Sequence, residues 1–175
     1  LREADNLLKG INFEGAGSII SNFYSEEEDW PYPANPKAKY MASLDPHDGS
    51  TKTDTNGGIA TIVTIYSKGQ DNSLIGKTGA DIIAVFYILY GPTTRLIFTH
   101  KDIEDVYEFQ LSKEGYFERI GKMSKLPKES RVGLRLAIGG GRDEMLPEGI
   151  EPIIADLERN HNGKAGYSGS MMVDI

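Results

Sequence analysis

Residues 40–66 read YMASLDPHDGSTKTDTNGGIATIVTIY. Two apolar runs, YMASL and IATIVTIY, flank a polar centre that holds Asp45, Asp48 and Asp54 with Pro46 and Gly49. The second run is rich in β-branched residues and predicts a buried strand; the first predicts a strand running into the loop. Carboxylates this close repel one another. A chain keeps such a cluster when a cation neutralises it, or when the loop simply projects into water. Pro46 fixes its own φ and pushes Asp45 toward an extended backbone. Gly49 permits a sharp turn, and the chain re-enters a strand past Thr55. In that geometry Asp45, Asp48 and the backbone carbonyl of His47 can face one point, a hard-cation site made of oxygen alone. Ser50 and Thr51 add a hydroxyl and amides beside it, the amides suited to a phosphate oxygen and the hydroxyl to orienting a water. The plain alternative is a β-turn with Asp and Gly as ordinary turn formers. The motif by itself leaves both open.

Composition narrows the choice. A length of 175 residues suits one domain or one and a fraction. A net charge of −7 argues against a nucleic-acid footprint, which needs a basic surface. No apolar run approaches the roughly 18 residues of a membrane span. The opening LREADNLLKG lacks the basic leader and apolar core of a targeting segment, although a chain that begins with Leu leaves its true N-terminus open. With no cysteine, disulfides, thiol nucleophiles and zinc–thiolate sites are excluded, which is compatible with a reducing compartment without locating the protein; the expected location is cytoplasmic. His47, His100 and His161 lack metal-binding spacing, so any metal is held by oxygen ligands: Mg²⁺, Mn²⁺ or Ca²⁺.

Along the chain, LREADNLLK reads as the end of an amphipathic helix, and WPYPANPK, with three prolines, as an extended loop. The runs IIAVFYILYG, TTRLIFTH, VYEFQLS and GYFERIG predict an antiparallel meander with a hairpin around Lys113, Glu114 and Gly115. KMSKLPKESR is polar, holds Pro127 and marks a boundary. VGLRLAIGGG reads as a strand ending in a glycine turn, the chain after Pro152 as a helix, and GYSGSMMVDI as the opening of another helix with glycine and serine amides at its start. This second unit offers little core, so the chain is expected to be part of a longer protein.

YSEEED lies upstream of the motif and can bring one more carboxylate to the same cation; a solvated acidic turn is its plain alternative, and Glu28 and Asp29 are left to it. SEEE followed by LDPHDGST resembles the metal-site signature of the lithium-sensitive sugar-phosphatase superfamily. DTNGGIATIVTIY, GKTGADIIAVFYILYGPTTRLIFT, YEFQL and GYSGSMMVDI resemble further segments of the sugar bisphosphatases, in the right order. The details favour the sedoheptulose-1,7-bisphosphatase branch, or a fructose-1,6-bisphosphatase close to it, over inositol monophosphatase.

The resemblance implies roles. Glu26 and Glu27 match paired glutamates, one binding metal and its neighbour helping to activate water. Asp45 and Asp48 match metal ligands, and His47 supplies its backbone carbonyl. Gly49, Ser50 and Thr51 match the phosphate-contacting turn beside Asp48, with Ser50 also next to the chemistry. Tyr167 and Met171 match residues lining the sugar-phosphate pocket. Two or three Mg²⁺ per site, with Mn²⁺ as substitute, would lower the pKa of a water, hold the phosphate and neutralise the leaving alkoxide. The family's further metal-linked aspartate falls near Leu1, where there is none, and an arginine before the pocket tyrosine of fructose bisphosphatases is Gly166 here. The turn that usually offers Asn to the substrate reads IGGG, and the family's last metal-ligand glutamate and a sugar-phosphate-binding lysine come from a C-terminal segment not in this chain.

Other residues take simpler readings. Tyr90 reads as core and turn, Arg95 as strand surface and Trp30 as a packing anchor under a loop. GGGR lacks the G-K-[ST] of a phosphate loop, and Lys125, Lys128 and Arg131 read as solvated linker charges. The expected fold is α/β, a layered α-β-α-β-α sugar-phosphatase fold of two α/β units. Residues 1–128 form the metal-site α+β domain with a mainly antiparallel sheet, and 129–175 begin an incomplete substrate domain. The expected function is Mg²⁺-dependent hydrolysis of the 1-phosphate of a ketose bisphosphate by a metal-activated water. The expected partner is a phosphorylated sugar, with no nucleic acid or membrane, in a homodimer or homotetramer. The alternatives are an inositol or nucleotide monophosphatase, a catalytically silent sugar-phosphate-binding module, and a plain structural domain.

Overall fold

The β-branched run Ile59–Ser67 forms a strand, and the rest of the architecture is laid out around it. The computed structural model describes residues 19–55, 57–123, 135–136, 149–160 and 164–165, with Ser170 and Met172. Its strands are β1 (Ile20–Ser25), β2 (Tyr32–Pro33), β3 (Tyr40–Asp48), β4 (Ile59–Ser67), β5 (Ile82–Tyr90), β6 (Arg95–His100), β7 (Tyr107–Leu111) and β8 (Phe117–Lys122). They make one eight-stranded sheet in the order β2-β1-β3-β4-β5-β6-β7-β8. From β3 onward neighbours in sequence pair antiparallel, as the expected meander requires. β1 departs from this by lying parallel to β3, which a connection through WPYPANPK allows. Together with the helix described below, the sheet is a mixed α/β arrangement.

Alternation places Leu44 opposite Val63, and Val63 opposite Phe86, on one face. Ile20, Ala42, Leu44 and Val63 are the buried centre of that face, with Phe23, Tyr40, Ile65 and Phe86 packed against it. The opposite face buries Met41, Ala60 and Ile97. Both faces are therefore apolar around β3 and β4. At β7–β8 neither strand has a buried residue. There the hairpin closes as expected: the Ser112 amide donates to the Tyr116 carbonyl at 2.9 Å, and Gly115 sits at φ +90°.

The strand leading into the acidic motif runs further than expected. β3 continues through Pro46 to Asp48 instead of ending at Asp45. Between Asp45, opposite Ile62, and Asp48, opposite Ala60, β3 has one residue more than β4. This is a β-bulge, the one place inside a sheet that accepts a proline without an N–H to donate. Gly49 then turns at φ +87°, and Ser50–Thr55 form a 3₁₀ helix.

Three other expectations change. Trp30 is 81% exposed and anchors nothing among the described residues. Tyr90 ends β5 and is 42% exposed, so it is not core. The helix expected after Pro152 is α1 (Ile150–Asn160), which begins two residues before it. A proline fits there because the amides of a first turn have no intrahelical partner. Arg95 is at the sheet surface, paired with Glu108 on β7. β9 (Arg135–Leu136) pairs parallel to β10 (Lys164–Ala165). The expected N-terminal helix, Lys125, Lys128, Arg131, GGGR, Gly166, Tyr167 and Met171 lie outside the described residues, as does the side chain of Thr51.

Candidate metal centre

Three backbone devices build the site. The parallel pairing of β1 and β3 sets Ser25 opposite Leu44, and the Glu26 amide donates to the Leu44 carbonyl at 3.0 Å. Glu26 thus leaves β1 beside Asp45. The bulge then bends β3 between Asp45 and Asp48, held from both sides: the His47 amide donates to Asp45 Oδ1 at 2.9 Å, and the buried Thr61 hydroxyl donates to the Pro46 carbonyl at 2.8 Å. The Tyr90 hydroxyl sits 3.1 Å from that of Thr61. The turn at Gly49 is the third device. A Cβ there would stand 2.8 Å from Ser170 Cβ and 3.0 Å from the Gly58 carbonyl, so only glycine fits.

The carboxylates feel one another. The Asp45 charge beside Glu26 holds the Glu26 carboxyl above its ordinary range. A hydrogen bond with Asp45, desolvation, and the charges of Glu27 and Asp48 push the same way. Asp48 Oδ2 accepts the Ser170 hydroxyl at 2.6 Å and the Met172 amide at 3.0 Å. Ser170 and Met172 therefore stand against the acidic strand end.

Of the residues singled out in the sequence, Glu26, Asp45 and Asp48 share one electrostatic neighbourhood. Glu27 stands in the exposed turn next to them, its amide 3.3 Å from the Ser25 hydroxyl. The His47 imidazole turns aside to Thr53, with Nε2 2.8 Å from Oγ1. Gly49 is buried and Ser50 exposed, at the start of the 3₁₀ helix. Asp54 is exposed in that helix and fits the solvated reading. Among the described residues no three His, Asp or Glu side chains stand at metal-ligating spacing. The donors still suit a hard cation by their chemistry: oxygen only, acidic, and crowded enough to raise one carboxyl.

Thr61, Ser170 and the Met172 amide were not singled out from the sequence. Thr61 is one threonine in a β-branched run, with nothing to mark its hydroxyl. Ser170 has a signal, since GYSGSMMVDI reads as a helix opening with glycine and serine amides at its start. What it lacked was a partner 122 residues away.

The family model described as fructose-1-6-bisphosphatase, N-terminal domain, matches residues 4–122. The chain belongs to the fructose-1,6-bisphosphatase family. It is 31% identical to a class 1 fructose-1,6-bisphosphatase of Pseudoalteromonas translucida over 98% of this chain and 54% of the relative. A class 1 fructose-1,6-bisphosphatase of Neisseria meningitidis is 31% identical over 96% of this chain and 51% of the relative. The chain thus spans about half the length of the curated relatives it matches. Leishmania major fructose-1,6-bisphosphatase in its T-state superposes with a TM-score of 0.72 at 25% identity, over 89% of this chain and 52% of that one. Among the described residues no helix is long and apolar enough to cross a membrane.

Proposed function

We propose that this chain carries the metal-site half of a Mg²⁺-dependent sugar bisphosphatase, which hydrolyses the 1-phosphate of fructose-1,6-bisphosphate or sedoheptulose-1,7-bisphosphate. What supports the proposal is the backbone bond that sets Glu26, in the turn after β1, beside Asp45 on β3, in a member of this family. Glu26, Asp45, Asp48 and the His47 carbonyl would hold the cations, with Glu27 as the adjoining carboxylate. Bound there, Mg²⁺ would offset the charge of the phosphate and of the leaving oxygen and make a water more acidic.

The chain's own groups have separate tasks. Glu27, in the solvent-facing turn, accepts a proton from the attacking water. The water oxygen bonds to phosphorus, the bond from phosphorus to the sugar oxygen breaks, and that oxygen takes up a proton. The turn Gly49-Ser50-Thr51 positions the phosphate, and Ser50 orients the water. Tyr167 and Met171 line the sugar side. These roles rest on the family resemblance. So does a homodimeric or homotetrameric assembly, while a first domain ending near residue 128 rests on the polar, Pro127-containing stretch there, and a cytoplasmic place of work is proposed beside them.

The test is phosphate release by the full-length protein from each bisphosphate and from inositol monophosphate, with and without Mg²⁺. Asp48→Asn runs alongside. Mg²⁺-dependent release from a bisphosphate, lost in Asp48→Asn, is the expected result, and the ratio of rates names the substrate. Preference for the monophosphate moves the activity to the monophosphatase branch. No release by folded protein leaves a silent binding module.

A further inference from the structure

β1 is an unusual place to fix a functional side chain. It pairs in parallel with β3, and its outer neighbour β2 is two residues long. Its register also contains a fault. Ile20 lies opposite Tyr40, but Phe23 lies opposite Ala42, so β1 takes three steps where β3 takes two. Bulges are rare in parallel pairs. Without this one, Ser25 would lie opposite Asp45, and the side chains beyond it would change face. The bulge is what puts Glu26 beside Asp45.

The extra residue falls at Ser21-Asn22, and both side chains there meet Asn72. The Ser21 hydroxyl lies 2.7 Å from Asn72 Oδ1 and 3.0 Å from the Tyr40 carbonyl. Asn72 Nδ2 donates to Asn22 Oδ1. One turn of the pleat further on, the Tyr24 hydroxyl donates to the Asn72 carbonyl at 2.8 Å. Asn72 itself sits at φ +50°, a left-handed conformation that asparagine tolerates. Ser21 is 1% exposed, so an unsatisfied hydroxyl there would be costly.

We propose that Asn72 is a positioning residue. It clamps the β1 bulge and so holds Glu26 in register with Asp45 from a loop that carries no candidate ligand. The inference rests on the reading of Glu26 and Asp45 as cation ligands.

The test uses full-length protein, wild type and Asn72→Gly, which keeps the positive φ and the carbonyl but removes the side chain. Hydrogen exchange is followed in metal-free protein at the Glu26 amide, which donates to the Leu44 carbonyl, with β5 and β6 amides as reference. Mg²⁺ binding is measured by calorimetry. The expected result is exchange at Glu26 at least about tenfold faster, reference amides unchanged, and a Mg²⁺ dissociation constant raised about 10–100-fold. Asn72→Asp, which keeps Oδ1, should recover part of both. Unchanged exchange or unchanged Mg²⁺ affinity in the variant overturns the clamp while the metal reading stands. A wild type that binds no Mg²⁺ overturns the metal reading and the proposal with it. If Asn72→Gly does not fold, Ser21→Ala takes its place: faster exchange with weaker Mg²⁺ binding supports the clamp, and no change in either overturns it.

Discussion

Two regions of the eight-stranded sheet, the interior pair β3–β4 and the edge pair β7–β8, are held by different forces. Around β3 and β4, Met41, Ala42, Leu44, Ala60 and Val63 are buried, and Phe23, Tyr40, Ile65 and Phe86 pack against one face of them. At β7 and β8, Tyr116 and Ile120 are exposed, and side-chain contacts are charged: Lys122 pairs with Asp105, and Arg119 lies 4.7 Å over the Tyr107 ring. Burial fixes position; exposed ion pairs fix little. The crowded carboxylates stand at the first region. Holding like charges together needs a frame that will not yield, and of the two regions the buried one supplies it.

The largest expected difference is in activity. Asp48→Asn should lower phosphate release by the full-length enzyme on the order of 10²–10³-fold, the scale for one lost preorganised electrostatic contact. Asp105→Asn, removing a carboxylate at the other region, should leave kcat and KM unchanged. Equal losses from both would break the comparison.

Stability should divide the same way. Leu44→Ala, in the buried centre, is expected to cost about 2–5 kcal/mol in urea unfolding, and Ile120→Ala less than about 0.5 kcal/mol. The two glycines with near-equal φ sharpen the contrast. Gly49 at φ +87° and Gly115 at φ +90° carry the same backbone penalty, about 1–2 kcal/mol on substitution by alanine. Only at Gly49 does the new Cβ also collide with Ser170, whereas nothing lies within 4 Å at Gly115. Gly49→Ala should therefore lose about 1–3 kcal/mol more than Gly115→Ala, the cost of overpacking. Equal losses would show that the chain at Ser170 simply moves away.

The smallest effect is expected from pH. Asp105 hydrogen-bonds and attracts the Lys122 ammonium, holding its pKa above the ordinary 10.5. A group that is a weaker acid in the folded state stabilises below its unfolded pKa and loses that contribution as pH rises through the folded one. The melting temperature of wild type should thus fall slightly more steeply than that of Lys122→Gln above pH 10.5. Solvent screening keeps the difference small. A large difference would mean that the β7–β8 end depends on its ion pairs after all.

What was legible in the sequence was what neighbours in sequence decide. The β-branched run of β4, the apolar runs of β5 to β8 and the turn at Gly115 all announce themselves locally. So did the pairing of Asp45 with Asp48 around a proline. The parallel placement of β1 did not, because register is set by a partner strand rather than by its own residues. Pro46 suggested a strand end, yet a bulge accommodated it within the strand. Trp30 looked like an anchor because large aromatics usually bury, and the turn around it holds it in solvent. Glu26 was found as a candidate, but the clamp that aims it runs through Asn72, some 50 residues on.

The bonds from Ser170 and Met172 to Asp48 also set an order of manufacture. Every strand pair of the large sheet is complete once residue 122 has been made. The donors that bond to Asp48 come 122 and 124 residues after it. At roughly 5–20 residues per second, a ribosome needs about 6–24 s to travel that far. The sheet can be finished while the acidic strand end still waits for these donors, so in the newborn chain scaffold precedes site.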